Sequence, residues 1–535
     1  MKNKSYPLYS LPEITDLKDM IKSHADKNPD KIAFSYSSGK NQIICKTYRE
    51  FSNDVDAIGT FLYTKNFRNS HIAVIGGNSY EWIVVFMAIV NGGNVAVPID
   101  KEQSPDKIKQ LLEQSDCEAA IISGTVMKKF ECSEMAVFQM DDFSEYISKG
   151  QKLIESGNCE YINYKVNIET LAAIFFTSGT TGNCKGVMLS QKNIVTDINS
   201  GCRNFYLGGN TVAILPFHHT FGLITAVFMV FNYGQQIYIN KSLKRVQKDM
   251  QMVKPKAVFL VPLFVETFYK TIMDTVRKSN KEKVLVCAAS ISNILLKFGI
   301  DLRKKLFNSV RDAFGGNLEY VICGGAPLDP KYVKIFRSWG INILNGYGIT
   351  ECSPVISVNR NYYYRDGSTG QVIDECKVKI SDEGEILVKG NNVMLGYYKD
   401  DESTRQVLND GWYSTGDIGY VDDDKFLVIS GRKKNLIILS NGENISPEEL
   451  EAPILLDDAV SEAVVYGENG MLTVQVFPVK EYMNNKEYFE NMIDKLNRNQ
   501  PQYMRINKVV IRQTEFIKSS TKKILRHKIM EESHD

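Results

Sequence analysis

The densest chemistry in this chain lies in Phe175-Phe-Thr-Ser-Gly-Thr-Thr-Gly-Asn-Cys-Lys-Gly-Val-Met-Leu-Ser190. An apolar strand runs there into a loop of Thr177, Ser178, Gly179, Thr180, Thr181 and Gly182, with one cation at Lys185. Gly179, Gly182 and Gly186 carry no Cβ, so the backbone can bend tightly. Its N–H groups and hydroxyls can then converge on one anion, as a nucleoside triphosphate requires. The spacing G-x-x-x-x-G-K-[ST] is absent, which excludes the ordinary P-loop.

Four further segments carry groups that suit a nucleotide. Gly324-Gly-Ala-Pro327 follows the strand-like Glu319–Cys323, and paired glycines let a flat ring lie against the backbone. Asn345-Gly-Tyr-Gly-Ile-Thr-Glu351 offers a ring at Tyr347, a glycine at Gly348, a hydroxyl at Thr350 and a carboxylate at Glu351. A hard cation bridging phosphates prefers one or two carboxylates plus water, so a single Glu suits Mg²⁺. Ser414-Thr-Gly-Asp-Ile-Gly419 sets Asp417 between glycines, where a carboxylate can accept both ribose hydroxyl protons. Leu215-Pro-Phe-His-His-Thr-Phe-Gly-Leu223 carries paired histidines with no third ligand spaced nearby, which argues against a metal. Taken singly, each segment also reads as an ordinary turn, hairpin or packed histidine.

Their joint order resembles the adenylate-forming enzymes: acyl-CoA synthetases, luciferases and peptide-synthetase adenylation domains. The resemblance implies the following roles. Thr177 to Gly182 with Lys185 and Gly186 form the phosphate loop, with Thr181 and Lys185 acting on the phosphates. Gly324, Gly325, Ala326 and Pro327 line the adenine pocket, and Tyr347 stacks on the base beside Gly348. Thr350 reaches the α-phosphate and Glu351 binds Mg²⁺. Asp417 and Arg432 of Gly431-Arg-Lys-Lys434 hold the ribose. In the family register P-x-x-H-x-x-G, His219 is the motif histidine, between nucleotide and acid. Ile517-Lys-Ser-Ser-Thr-Lys-Lys-Ile-Leu-Arg526 is similar to the catalytic-lysine loop and places Lys523 as that lysine. Gly442 in Asn441–Leu450 matches the loop that lines the pantetheine tunnel, and Lys434 matches the hinge. The chain departs from the family at Lys522 (usually Gly), Ile517 (usually Pro) and Cys184 (usually Pro).

Gly77-Asn-Ser-Tyr-Glu-Trp82, the histidine segment and the helical stretch Tyr269–Phe314 look most like bacterial long-chain fatty acid–CoA ligases. The implied reaction converts a carboxylic acid, expected to be a medium- or long-chain fatty acid, and ATP to acyl-AMP. A thioester with coenzyme A follows. Transfer to the phosphopantetheine of a separate acyl carrier protein is the alternative acceptor. Amino acid activation is disfavoured, because Phe217-His-His219 stands where such domains carry a Phe-Asp pair. A nucleotide-binding pseudoenzyme is the remaining reading, supported only by Lys522.

The elements that must position these groups read as α/β. Short β-branched runs such as Ile72–Gly76, Val95–Pro98, Ala119–Ile122, Val212–Leu215 and Ala257–Val261 alternate with amphipathic stretches. A length of 535 residues exceeds one ordinary core. The expected architecture is a large N-terminal domain of mixed sheets and helices, 1–431, and a small mobile α+β C-terminal domain, 432–535. Composition is globular, 43% apolar and 24% charged. A net charge of +1 gives no reason to expect nucleic acid as a partner. Ten cysteines without a C-x-x-C pair suit a reducing compartment. Met1–Ser10 lacks the apolar run of a secretory signal. Residues 72–99 are broken by glycines and Glu81, so no transmembrane segment is expected, and a cytoplasmic location is. The basic stretches Lys241–Lys256 and Lys278–Lys305 show no clear lipid-facing apolar stripe and read as solvated faces.

Overall fold

The structure, a computed structural model, describes residues 7–38, 42–127, 135–178, 184–438, 444–468, 471–498, 500–518, 524–526 and 528–529. The chain divides into two compact units. The first comprises Met1–Val378, Val388–Tyr413 and Asp422–Leu427; the second comprises Lys379–Leu387, Ser414–Val421 and Val428–Asp535. The second unit thus includes two segments that precede residue 432, because strand Trp412–Val421 pairs with both Glu385–Gly390 and Leu427–Arg432.

Two sheets dominate the first unit. A nine-stranded sheet runs Gln371–Val372, Val355–Val358, Asn342–Gly348, Tyr320–Cys323, Ala257–Leu260, Thr211–Ala213, Ile237–Ile239, Ile32–Ser37, Ile43–Thr47. Its centre is parallel, from Asn342–Gly348 to Ile32–Ser37, and antiparallel strands close both ends. A seven-stranded sheet runs Gly396–Tyr397, Cys184–Ser190, Leu171–Ser178, Val95–Ile99, His71–Ile75, Ala119–Ile122, Ala136–Gln139. The apolar runs Ala257–Leu260 and Ala119–Ile122 are buried throughout, as strands covered on both faces must be. Strand Thr211–Ala213 is shorter than the run Val212–Leu215 suggests; Ile214 and Leu215 already lead into Pro216, which cannot donate to a ladder.

Helix Tyr80–Asn91 is buried except at Glu81. Ser79 Oγ caps it by accepting from Trp82 N at 3.1 Å. Its Trp82 lies 5.8 Å from Phe217, and its Phe86 lies 6.4 Å from Phe175 and 5.8 Å from Phe228. This one helix therefore packs the strand before the phosphate loop together with the segment after the histidines.

The second unit has its own core. Leu450, Ile454, Val465, Val474, Phe489 and Ile493 pack strands Val460–Glu468, Met471–Pro478 and Ile506–Ile511 against helices Pro447–Ile454 and Lys486–Asn497. Among the described residues, no helix is long and apolar enough to cross a membrane.

Candidate active site

Backbone geometry explains Gly348 in the segment Asn345–Glu351. A Cβ on Gly348 would lie 1.9 Å from the Pro354 carbonyl oxygen, so only glycine fits where the strand crosses the following loop. Ile349 N donates to that same carbonyl at 2.9 Å. The chain then turns through Thr350–Cys352, with Ser353 in the left-handed region at φ 70°. Tyr347 and Glu351 are thereby presented half-buried rather than packed away. Gly325 adopts φ +84°, and Gly325, Ala326 and Pro327 are exposed, leaving open backbone beside buried Gly324.

Glu351 does not stand alone. The Tyr397 hydroxyl donates to its Oε1 at 3.0 Å and lies 3.4 Å from the Tyr413 hydroxyl. Burial, reinforced by the Glu351 charge, pushes the Tyr397 phenol well above its ordinary range, so it remains a donor. Lys185 Nζ sits 4.7 Å from the centre of the Tyr397 ring, within cation–π reach. The register fixes this arrangement: Lys185 pairs with Thr177, and Tyr397 pairs with Val187 across the next ladder. Tyr397 thus joins Lys185 to Glu351, the carboxylate expected to hold Mg²⁺. Sequence reasoning missed it, since nothing in Gly396-Tyr-Tyr398 shows what its hydroxyl meets.

The histidine segment is held by the early motif. Asn78 Nδ2 donates to the Leu215 carbonyl at 2.8 Å, and Phe217 N donates to Asn78 Oδ1 at 3.1 Å. A Cβ on Gly222 would lie 2.1 Å from the Pro216 carbonyl oxygen, which accounts for the glycine three residues after His219. The rings of His218 and His219 lie 4.3 Å apart. Burial pushes the His218 imidazole down to about 4, and the Asp100 carboxylate, 3.8 Å away, does not offset it. Phe221–Met229 then forms a π-helix, the rare i→i+5 winding that often marks functional sites. Phe221 and Thr225 of this helix, with Phe205, Phe259, Ile322, Gly324, Tyr347 and Val355, line a mainly apolar cavity of about 60 Å³. The cavity wall adjoins the expected adenine segment. Sequence reasoning missed Phe205, Phe221, Thr225 and Phe259 as lining residues.

In the second unit, Arg432 Nε lies 2.6 Å from Asp417 Oδ1. The Asp417 side chain is 4% exposed while that of Arg432 is 53% exposed, so the carboxylate is fixed and the guanidinium is open to a ligand. Lys433 bridges Glu383 at 2.6 Å and Glu385 at 2.9 Å, and Lys434 follows on an exposed one-turn helix. Gly179, Thr180, Thr181, Gly182, Gly442, Lys522 and Lys523 lie outside the described residues, as does the Ser178 side chain. The flanks of the lysine loop are described. Lys518 pairs with Ile524, and Leu525 N donates to the Ile517 carbonyl at 2.9 Å. Arg526 is bound by Glu451 and lies 3.7 Å from Glu448.

One carboxylate fits a Mg²⁺ ion that takes its other oxygens from phosphates and water. Among the described residues no cluster of three or more ligating side chains competes for it.

Residues 21–398 match the AMP-binding enzyme family, and residues 434–535 match the AMP-binding enzyme C-terminal domain. The chain belongs to the AMP-binding enzymes. It is an ATP-using acid–thiol ligase of the adenylate-forming class, as the motifs imply. Among similar proteins, the long-chain-fatty-acid–CoA ligase FadD15 of Mycobacterium tuberculosis is 26% identical, over 88% of this chain and 83% of that protein. Long-chain-fatty-acid–CoA ligase 5 of Rattus norvegicus is 28% identical, over 88% of this chain and 76% of its own length. The fold is shared with the anthranilate CoA ligase AuaEII solved with anthranoyl-AMP (TM-score 0.78, 18% identity, 98% of both chains). It is shared too with the o-succinylbenzoate CoA synthetase MenE of Bacillus subtilis solved with ATP and magnesium (TM-score 0.74, 21% identity, 96% of this chain and 99% of that one).

Proposed function

We propose that this AMP-binding enzyme activates a fatty acid and joins it to coenzyme A. The observation that carries the reading is the apolar cavity beside Gly324 and Tyr347, walled by Phe205, Phe221 and Phe259. Apolar walls next to the adenine segment suit an acid whose body is hydrocarbon and whose carboxylate points at the nucleotide. At about 60 Å³ the cavity is small beside the roughly 300–1,000 Å³ of ligand pockets, so a long chain requires its walls to part. The two long-chain-fatty-acid–CoA ligases support the same substrate class.

In the first step a carboxylate oxygen attacks the α-phosphorus of ATP. The bond to the β-phosphate oxygen breaks, and pyrophosphate leaves. Tyr347 with Gly324, Gly325, Ala326, Pro327 and Gly348 holds the base, Thr350 the α-phosphate, and Asp417 with Arg432 the ribose. Thr177 to Gly182, with Lys185 and Gly186, cradles the leaving phosphates. Mg²⁺ at Glu351, when bound, neutralises phosphate charge. Lys523 stabilises charge at the attacked phosphorus, where a preorganised cation has most effect. His219 separates the acid from the nucleotide. In the second step the domain 432–535 turns about Lys434, bringing Gly442 to the thiol arm. The sulfur of coenzyme A attacks the acyl carbon, the bond to AMP breaks, and AMP leaves. AMP is a far better leaving group than hydroxide, which is the purpose of the first step.

Pyrophosphate release with an acid panel from acetate to palmitate, with and without coenzyme A, tests the reading. Release driven by fatty acids, completed to acyl-CoA and lost in Lys523→Ala, is expected. Turnover with only short or aromatic acids refutes the fatty-acid assignment. Release that proceeds only when an acyl carrier protein replaces coenzyme A refutes the acceptor.

A further inference from the structure

Helix Glu282–Lys297 has two apolar faces, although the lysine-rich sequence around it predicts solvated ones. The first face is packed. Leu285, Ala288 and Ala289 lie against the core that covers the nine-stranded sheet, and Ser292 is buried on the same side. At 3.6 residues per turn, Val284, Cys287, Ile291, Ile294 and Phe298 fall on a second stripe along the helix and its C-cap. That stripe is open to water. Val284 is 65% exposed, Ile291 and Ile294 are each 55%, Phe298 is 78%, and Cys287 is exposed as well. It is about 21 Å long at a rise of about 1.5 Å per residue. A surface helix normally presents polar residues opposite its packed face, and a contiguous apolar stripe in water marks an interaction surface.

The charges around the stripe indicate what covers it. Arg277–Lys305 contains eight basic residues and two acidic ones. Both acids are engaged: Glu282 lies 3.4 Å from Arg277, and Asp301 lies 2.7 Å from Arg303. Lys278, Lys281, Lys283, Lys297 and Lys305 form no ion pair among the described residues. On the helical projection Lys283 falls beside Ile294, and Lys297 follows it, so cations border the apolar row.

We propose that this face docks on an anionic lipid surface. The apolar row enters the acyl boundary and the flanking lysines meet the headgroup phosphates, as interfacial helices do. A second copy fits less well, because two-fold packing of the stripe would bring one set of unpaired lysines against another. The contact is interfacial, since no helix among the described residues is long and apolar enough to cross a membrane. The proposal is independent of which acid is activated.

Flotation of the full chain with vesicles tests it, using phosphatidylcholine alone and phosphatidylcholine mixed with phosphatidylglycerol. Binding to the mixed vesicles, weak binding to the neutral ones and loss with added salt are expected. The triple variant Ile291→Ser, Ile294→Ser, Phe298→Ser should lose at least about tenfold in binding. Its melting midpoint should stay at the wild-type value, because those side chains are exposed. Replacing Lys278, Lys281 and Lys283 with Gln should cost about fivefold per cation on mixed vesicles and nothing on neutral ones. Failure of the wild type to float with either vesicle overturns the proposal, as does equal binding to both. So does wild-type binding by the Ser variant. A wild-type dimer that the Ser variant disperses, seen by light scattering without lipid, assigns the face to a second copy instead.

Discussion

Tyr397→Phe removes one oxygen and keeps the ring. The lost group is the donor to Glu351 Oε1 at 3.0 Å; the surface 4.7 Å from Lys185 Nζ remains. A hydrogen bond to a charged group is worth about 1.5–3 kcal/mol net. Glu351 is half-buried and keeps access to solvent, so the lower end applies, about 1.5 kcal/mol or roughly tenfold. The loss should appear in the magnesium response, because an unheld carboxylate must be oriented by the incoming cation. Pyrophosphate release at fixed ATP and acid, titrated with Mg²⁺, is the assay. Half-saturation should rise about tenfold while the rate at saturating Mg²⁺ stays near wild type. Tyr397→Leu removes the ring as well and should also lower the saturating rate through Lys185. An unchanged magnesium titration in Tyr397→Phe refutes the reasoning. A rate loss that no amount of Mg²⁺ restores refutes it too, and shows instead that the hydroxyl acts on the nucleotide or the fold.

Gly348→Ala should destabilise the first unit by at least about 1–3 kcal/mol, because the added carbon meets the Pro354 carbonyl oxygen at 1.9 Å; a melting midpoint equal to wild type contradicts this. His218 binds a proton less readily when folded, at about 4, than in the unfolded chain, at about 6.5. Stability is therefore full above about pH 6.5 and falls on acidification toward about 4, and His218→Gln should flatten the melting-midpoint profile in that window. Asp197 is fully buried, accepts one bond from Val355 N at 2.9 Å, and burial holds its carboxyl pKa far above the usual range. Its folded state favours the proton, so its stabilising contribution is present below the ordinary carboxylate range and fades as pH rises. Asp197→Asn should accordingly raise the melting midpoint at neutral pH, and the gain should shrink on acidification.

The local backbone geometry of the expected nucleotide and histidine segments is legible in the sequence because its demands are local. Gly348 and Gly222 are required by backbone contacts within a few residues of themselves, and such constraints leave a visible mark on composition. The α/β alternation is legible for the same reason, since buried parallel strands must be apolar along their whole length. Asn78 shows the limit. Its motif stands out, yet what it clamps lies at Leu215 and Phe217, which only the packing of helix Tyr80–Asn91 brings near. Tyr397 and Asp197 make long-range contacts with no periodic signature. The stripe on helix Glu282–Lys297 is hidden differently: both its faces are apolar, so hydrophobic spacing alone cannot tell the packed side from the open one.

The π-helix Phe221–Met229 has an evolutionary consequence. Each of its i→i+5 bonds encloses one residue more than the i→i+4 bond of an α-helix, and the Thr225 hydroxyl donates to the Phe221 carbonyl within that wide turn. Removing a single residue from the stretch would let one turn close as i→i+4, and the exchange of side chains would be confined to that turn, because the wide turn is what absorbs the extra residue. Phe221 would keep its place, since Gly222 is seated on Pro216, while the wall at Thr225 would be exchanged for another residue. The wall of this cavity in a lineage carrying the segment can therefore change by the gain or loss of one codon, with the strands of the sheet left in place.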